Sequence, residues 1–225
     1  KAKKAFALQN KYRKQAGAKT LEWSDEMYEY GLYRLKTSGF DSHKNNKRDC
    51  SAYFGDLADI MYVEKDCHWM SENLAIGNSN PSDAVKDWRE SKGHYRTMIE
   101  DYWKCGAIVQ YDNTQIAVFS SSTANEMKEW RNYKSHYAKV VIKRQNVLTG
   151  AFLPGSEISI YDKADKWNTM RTCSIMKASG LVLYVKAGRD YGIFESMVPN
   201  GSQKAQRIEF TAMPLTEGCN EFIMK

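Results

Sequence analysis

The chain lacks the features that would place it in a membrane or in a fibrous class. No run of about 18 apolar residues occurs, so the sequence predicts no transmembrane segment. Only 4 prolines and 14 glycines are present among 225 residues, which excludes collagen-like and proline-rich structures. With 42% hydrophobic and 27% charged residues, the composition is that of a globular protein with enough apolar surface for a core.

Motifs of the common nucleophilic and nucleotide-dependent enzymes are also absent. There is no G-x-S-x-G, no glycine-rich phosphate loop and no G-x-G-x-x-G. This absence favours a protein that binds over one that turns a substrate over, although the enzyme question stays open. The net charge of +6 is mild and is not concentrated as in nucleic-acid binders, so no nucleic-acid partner is expected.

The five cysteines are an odd number and form no C-x-x-C pair. That pattern disfavours a zinc ribbon and a thioredoxin-type redox site. Three cysteines precede residue 106, whereas Cys173 and Cys219 lie in the last third of the chain. Two alternatives stay open: one disulfide in each region with one thiol left over, or five reduced and buried cysteines.

Turn signals and hydrophobic periodicity divide the chain into two parts. Residues 1–122 show two amphipathic helices, a long polar loop over 40–71 that could contain short helical turns, two more helices and a β-hairpin. Residues 123–138 are highly polar and are predicted to form a linker. Residues 139–225 contain short β-type runs separated by glycine and proline, which predicts a small all-β sandwich.

Capping and breaking residues bound the helices of the first part. Ser24 is predicted to cap the second helix, which ends at Ser38-Gly39, and Pro81 lies in the first turn of the third. Arg34 falls on the apolar face of the second helix, where we expect its aliphatic stem to pack beside hydrophobic neighbours.

Two imidazoles and two carboxylates stand out as candidate site residues: His43, Glu72, Glu90 and His94. Such a set suits a divalent metal ion, and it could equally pair a general base with an acid. The four residues form neither an H-x-x-x-H nor an H-E-x-x-H pair, so spacing alone also allows four unrelated surface residues.

Five short segments of residues 1–122 carry a family pattern. They are Asn10-Lys11-Tyr12-Arg13, Leu21-Glu22-Trp23-Ser24, Phe40-Asp41-Ser42-His43, Ser71-Glu72-Asn73-Leu74-Ala75 and Trp88-Arg89-Glu90-Ser91-Lys92-Gly93-His94. In order and spacing they resemble the CAP superfamily (cysteine-rich secretory, antigen 5 and pathogenesis-related 1 proteins) in its bacterial form. The resemblance implies an α+β fold with a three-layer α-β-α sandwich. It also implies a metal cleft, such as a Zn²⁺ site, formed by His43, Glu72, His94 and, at a shifted position, Glu90.

The second part resembles a different module. Residues 149–158 and Tyr191-Gly192-Ile193-Phe194-Glu195, followed by Val198-Pro199-Asn200-Gly201, are similar to Cna-B-type domains, which serve as spacers on Gram-positive surfaces. Many of those domains carry a Lys–Asn isopeptide bond promoted by a glutamate, and Lys143 and Glu195 are the candidate positions here. Residues 207–213 offer no Asn or Asp, so no such bond is expected, and a Cys173–Cys219 disulfide is the suggested alternative.

Together these resemblances imply an extracellular or surface-attached bacterial protein that acts by binding. The cleft would hold a divalent metal, a small molecule, a lipid or a host protein, with the β-module as a spacer. Seven basic residues precede the first acid, Glu22, which allows peripheral contact with the cell envelope. Two alternatives stay open: a metal-dependent peptidase using the His/Glu cleft, and an adhesin whose β-module binds host matrix.

Overall fold

The computed structural model of the chain describes residues 1–66, 68–198 and 205–225. It divides into two compact units, Lys1–Arg131 and Asn132–Lys225. Helices and strands are both abundant, and the predicted α+β class is confirmed. Within the described ranges, every helix is too short or too polar to cross a bilayer.

The first unit consists of helices around one four-stranded sheet. Its elements are α1 (Ala2–Gln15), β1 (Glu22–Trp23), α2 (Asp25–Ser38), α3 (Asn46–Phe54), α4 (Asp56–Glu64), β2 (Met70–Ile76), α5 (Pro81–Glu90), α6 (Lys92–Ile99), β3 (Cys105–Tyr111), β4 (Thr114–Ser120) and α7 (Ala124–Glu129). The strand order is β1-β3-β4-β2, and the predicted hairpin is the antiparallel pair β3–β4.

Helices cover both faces of this sheet, which gives three layers. On one face, α1, α5 and α6 pack around a core that includes Phe6, Trp88 and Phe119. On the other face α2 approaches so closely that a Cβ on Gly31 would lie 2.8 Å from Cγ2 of Val109. Successive strand residues point to opposite faces of the sheet, and helices cover both faces. Apolar residues therefore occupy consecutive positions of β3 and β4, and both strands are buried almost throughout.

The predicted long loop over 40–71 is wrong for most of its length. The helices α3 and α4 occupy it, and β2 begins at Met70. Apolar periodicity is weak in α3 because its one buried residue, Asp49, is polar. The Asp49 carboxylate accepts a hydrogen bond from Ser38 Oγ at 2.5 Å. The helix therefore depends on tertiary contacts rather than on an apolar stripe. Cys67, in the same segment, lies outside the described residues.

The second unit is a sandwich of two sheets. Its elements are α8 (Tyr133–His136), β5 (Tyr137–Arg144), β6 (Glu157–Asp162), α9 (Lys166–Thr169), β7 (Arg171–Ser174), β8 (Leu181–Lys186), β9 (Asp190–Met197), β10 (Arg207–Thr211) and β11 (Cys219–Met224). The sheet orders are β10-β9-β6-β7 and β11-β5-β8, with β11 parallel to β5. The segment 123–138, predicted as a polar linker, holds α7, a 3-10 turn and α8. The predicted turn Pro199-Asn200-Gly201 lies outside the described residues.

The interior of the sandwich contains an ion pair at a position the sequence interpretation missed. Along β5 the residues Ala138, Val140, Ile142 and Arg144 are buried, so Arg144 points inward. Its Nη1 lies 2.8 Å from Oε2 of Glu195, with both side chains 0% exposed. Lys143, the candidate position for an isopeptide lysine, does not face Glu195, because strand alternation turns its side chain outward.

The suggested disulfide is not supported. Cys173 lies on β7 and Cys219 on β11, which are edge strands of different sheets, and the two sulfurs are not joined. The Cys219 thiol instead lies 3.6 Å from the carbonyl oxygen of Lys139. In the part of the chain that the structure describes, no cysteine is in a disulfide.

Candidate functional site

His43 lies in a tight turn directly after α2. Ser42 and His43 have φ angles of 54° and 68°, a left-handed conformation that costs energy for residues other than glycine. The Asp41 carboxylate stabilises the turn by accepting the backbone N–H groups of His43 at 3.1 Å and Asn45 at 2.9 Å. Strained backbone held by specific hydrogen bonds is a frequent property of functional sites.

The strand register places Glu72 beside α2. Glu72 of β2 lies opposite Val118 of β4, and Val118 is on the sheet face that α2 covers near Gly31. One turn further along α2, Arg34 donates from Nε to Oε2 of Glu72 at 3.2 Å and from Nη2 to Oε1 at 3.0 Å. The Glu72 carboxylate, 2% exposed, is therefore held through both of its oxygens.

Arg34 is the centre of a buried charge cluster. Its Nη2 lies 2.6 Å from Asp41 and its Nη1 lies 3.3 Å from Asp49, in addition to the Glu72 contact. Burial alone would lower the pKa of Arg34, but the bonds from Asp41 and Glu72 outweigh it and leave that pKa raised. Burial likewise acts to raise the pKa of Asp41, yet the hydrogen bonds from Arg34 and Asn45 and the charge of Arg34 together outweigh it, and the pKa is lowered. Both groups therefore stay charged near neutral pH.

The cluster continues to the surface through His43. Its Nδ1 lies 2.9 Å from Oε1 of Glu72, while 43% of the His43 side chain is exposed. Because carboxylate oxygens only accept and Arg34 donates to both of them, Nδ1 of His43 is the donor in this contact. With Nδ1 engaged, a ligand would have to use Nε2 of His43.

His94 lies on α6, and the charge of His43 influences its pKa. Burial lowers the pKa of His94, and the charge of nearby His43 lowers it further, so His94 is neutral at pH 7. The carbonyl oxygen of His94 accepts a hydrogen bond from Nδ2 of Asn73 at 2.9 Å. Asn73 follows Glu72 on β2, so one strand positions both histidines.

Glu90 is not part of this arrangement. It is solvent-exposed at the end of α5. Among the described residues, no hydrogen bond or ion pair joins its carboxylate to either cleft histidine. Of the four predicted site residues, His43 and Glu72 are in contact, and His94 is linked to them only through the effect of the His43 charge on its pKa. The sequence interpretation missed Arg34, Asp41 and Asn73. A charged residue on the apolar face of α2 was the available signal for Arg34, since a buried guanidinium needs carboxylate partners.

The donor set suits a metal ion only in part. The described residues contain no group of three or more His, Cys, Asp or Glu side chains arranged to hold one. Glu72 would have to give up an Arg34 contact to become a ligand. Glu72, which contacts Nδ1 of His43 at 2.9 Å, is placed to orient that ring rather than to act as a ligand.

A separate cavity lies elsewhere in the first unit. It has a volume of about 360 Å³ and is lined by Lys65, His68, Asp101, Tyr102, Lys104 and Ser121. None of the predicted site residues lines it.

The three layers of helices and sheet define an α-β-α domain of the kind that the sequence motifs predict. Residues 6–123, more than half of the chain, match the cysteine-rich secretory protein family, CAP. The chain therefore belongs to this family. No curated protein matches it.

Several solved structures are similar to the chain in fold. An extracellular protein containing an SCP domain from Bacillus anthracis is 20% identical, with a TM-score of 0.41 over 53% of this chain and 39% of that one. A cysteine-rich secretory protein from Staphylococcus aureus is 12% identical, with a TM-score of 0.39 over 53% and 38%. The chain thus spans about two fifths of these proteins. The C-terminal domain of a shaft pilin from Lactobacillus rhamnosus GG is 14% identical, with a TM-score of 0.26 over 39% of this chain and 95% of that one.

Proposed function

We propose that this CAP-family chain is an extracellular or surface-attached bacterial protein that acts by binding, without turnover. Its ligand site is the cleft around His43 and His94, and the β-sandwich unit serves as a spacer. The observation that carries the proposal is the array Arg34–Glu72–His43. A fully buried guanidinium fixes a glutamate, the glutamate fixes one ring nitrogen, and the exposed half of that ring is directed to a ligand.

The ligand that this arrangement fits is a divalent cation such as Zn²⁺, bound by Nε2 of His43 and by the ring of His94. Imidazole nitrogens are common zinc ligands, and a carboxylate on the opposite ring nitrogen is the usual supporting contact. The bound ion would supply a Lewis-acidic centre with open positions for an oxygen atom of a small molecule, lipid or host protein. In this proposal Glu72 and Glu90 are not ligands.

Calorimetric titration with ZnCl₂ tests the proposal directly. We expect His43→Ala and His94→Ala each to weaken the affinity by about tenfold or more, because each removes a ligand. His136→Ala is the matched control, since His136 is exposed on α8 in the other unit, and its affinity should equal that of the wild type. Equal affinity of the wild type and the His43→Ala/His94→Ala double variant would contradict the proposal.

The pH dependence gives an independent test. Both imidazoles must be neutral to bind, and an unperturbed histidine has a pKa of about 6.5. His94, with its lowered pKa, keeps its neutral form to lower pH than an ordinary histidine. Because protons compete with the metal ion for imidazole nitrogens, the affinity should weaken between pH 7.5 and pH 5.5. Identical affinities at the two pH values would argue against ligation by both rings.

A metal-dependent peptidase is the alternative interpretation of the same cleft. That chemistry needs a carboxylate able to take a proton from a metal-bound water. Glu72 is already bonded to Arg34 through both oxygens, which favours binding over hydrolysis. We expect no cleavage of a mixed peptide library with ZnCl₂ present. Zinc-dependent cleavage that disappears in His94→Ala would replace the binding proposal by the hydrolytic one.

A further inference from the structure

The helix α1 presents a basic surface to solvent. It contains basic residues in every turn and no acidic residue. Arg13 is buried, whereas the exposed basic residues of the helix are Lys3, Lys4, Lys11 and Lys14. Intervals of seven and eleven residues return to nearly the same side of a helix, so these four lysines share one side of α1. They form a stripe that is about 17 Å long.

The charge of this stripe is not neutralised by neighbouring carboxylates. Among the described residues, none of the four lysines is in an ion pair. The ammonium group of Lys3 lies 5.4 Å from the ring centroid of Trp23, and such a cation–π contact leaves the positive charge in place. The stripe therefore keeps its positive charge available to a partner.

Two neighbouring helices continue the basic surface. The helices α5 and α6 pack beside α1 around a common core on the same face of the sheet. Arg89 of α5 lies where α5 meets α1, with its guanidinium 4.5 Å from the ring centroid of Tyr12. On α6, Lys92 and Arg96 are exposed one turn apart. We call the exposed surface of these three helices the basic layer.

Acidic residues balance only a part of the basic layer. Asp83 pairs with Lys86 at 2.9 Å, and Asp87 and Glu90 are the other acidic residues of the three helices. The remaining exposed basic residues are Lys3, Lys4, Lys11, Lys14, Arg89, Lys92 and Arg96. The helices α2, α3 and α4 have the opposite balance, since their acidic residues outnumber their basic ones. The positive excess of the CAP unit is therefore concentrated on the basic layer.

The shape and polarity of the basic layer restrict the kind of partner that it fits. Within α1, α5 and α6, all of whose residues the structure describes, no large hydrophobic side chain is exposed. Attachment would therefore depend on charge and would not insert side chains into an apolar phase. The basic groups do not converge on one point, as a small anion requires, and they extend over three helices instead of along one line. A broad array of phosphate groups matches this distribution.

We propose that the basic layer docks the protein on the surface of an anionic phospholipid bilayer. Clusters of about four to eight lysines and arginines bind anionic headgroups electrostatically, and the basic layer has a cluster of that size. The helices lie on the headgroups without entering the hydrocarbon, so the attachment is reversible and is weakened by salt. This role goes beyond ligand binding in the His43 cleft and does not depend on it.

Sedimentation of the full chain with vesicles tests the proposal. We expect binding to mixed phosphatidylglycerol and phosphatidylcholine vesicles and none to phosphatidylcholine alone. The variant Lys3→Gln/Lys4→Gln/Lys11→Gln/Lys14→Gln should lose at least about tenfold in partition coefficient.

The matched control removes four exposed lysines outside the basic layer and has the same net charge. It is the variant Lys36→Gln/Lys47→Gln/Lys128→Gln/Lys177→Gln. We expect it to lose at most about twofold, because charges far from the docked surface are screened. Equal losses in the two variants would overturn the proposal, since overall net charge would then explain the binding.

A third variant guards against misfolding of the first. Lys3→Arg/Lys4→Arg/Lys11→Arg/Lys14→Arg keeps every charge and should bind the vesicles like the wild type, with unchanged circular dichroism. Binding should also disappear at about 0.5 M NaCl, where the Debye length is only a few ångströms. Binding that is insensitive to salt would contradict an electrostatic attachment. Binding to soluble inorganic polyphosphate without binding to the vesicles would show that the partner is a linear polymer and would also overturn the proposal.

Discussion

Each unit of this protein contains a fully buried arginine that is bonded to a glutamate on a strand. The two pairs differ in whether the glutamate also contacts a residue at the surface. In the sandwich, Arg144 and Glu195 are 0% exposed. Ser156 Oγ and the backbone N–H of Gln206 complete the contacts of Glu195, both at 3.1 Å. In the CAP unit, the Arg34–Glu72 pair continues to His43, which is 43% exposed.

This difference shows how the same buried interaction can serve structure or function. A buried ion pair is expensive to desolvate, and packed apolar residues often replace it at no loss of stability. In the sandwich, the described contacts of Glu195 join it to Arg144, Ser156 and Gln206 in the interior of the unit. In the CAP unit, the pair fixes the ring of a surface histidine and the turn that carries it, a task that apolar residues could not perform.

The largest expected effect concerns the sandwich pair. Arg144→Met leaves Glu195 buried without its counter-charge and should lower the free energy of unfolding of the second unit by about 3–5 kcal/mol. Hydrogen exchange of peptides from β5 and β9, followed by mass spectrometry, measures it. Zn²⁺ affinity should be unchanged.

The double variant Arg144→Met/Glu195→Leu provides the control, because it removes both charges together. It should recover most of the lost stability. If the single variant is as stable as the wild type, the pair does not have the structural role described above. If the single variant instead loses Zn²⁺ affinity, the contrast between the two pairs is wrong.

A smaller effect is expected for Glu72→Gln in the CAP unit. The amide keeps the shape of Glu72 but weakens its bonds to Arg34 and to Nδ1 of His43. Loss of a contact that supports a metal ligand typically lowers affinity by about 10–100-fold, and we expect that reduction for Zn²⁺ in calorimetric titration. Glu90→Gln is the matched control and should bind like the wild type. A larger loss in Glu90→Gln than in Glu72→Gln would show that Glu90, not Glu72, serves the site.

The smallest effect is a pH dependence confined to the CAP unit. The pKa of Asp41 is lowered in the folded protein, mainly by Arg34 acting against the effect of burial. Its contribution is therefore present above the unfolded pKa of about 3.9 and is lost as pH falls through the lower folded value. Asp41→Asn should flatten the fall in stability between pH 5 and pH 2, measured by urea unfolding. An unchanged slope would mean that Asp41 contributes nothing to acid sensitivity.

Local signals predicted most of the fold. Ser24 caps α2, with its Oγ accepting the N–H of Met27 at 3.2 Å, and Pro81 begins α5. The hairpin and the strands of the sandwich follow from alternating apolar residues and turn residues. The helices α3 and α4 could not be predicted in this way, since the order of α3 depends on Asp49 meeting groups from distant parts of the chain.

The sequence predicted those site residues whose motif and side-chain type indicate a function. It did not predict residues whose role depends on contacts with distant parts of the chain. Family motifs identified His43, Glu72 and His94, and the fold places the first two in contact. They did not identify Arg34, because only the fold reveals that its guanidinium lies between three carboxylates. In the sandwich, the alternation of apolar residues along β5 indicates that Arg144 faces the core and that Lys143 does not. The resemblance to Cna-B-type domains had instead suggested Lys143 as the candidate position.

The central claim is that Glu72 orients His43 and that the two histidines bind the ion. Anomalous scattering at the zinc edge from a crystal soaked in ZnCl₂ tests it most directly. The account predicts one strong peak in contact with Nε2 of His43 and a ring nitrogen of His94, with Glu72 still bonded to Arg34. A peak coordinated directly by Glu72 with Arg34 displaced, or a cleft without any peak at saturating zinc, would contradict it.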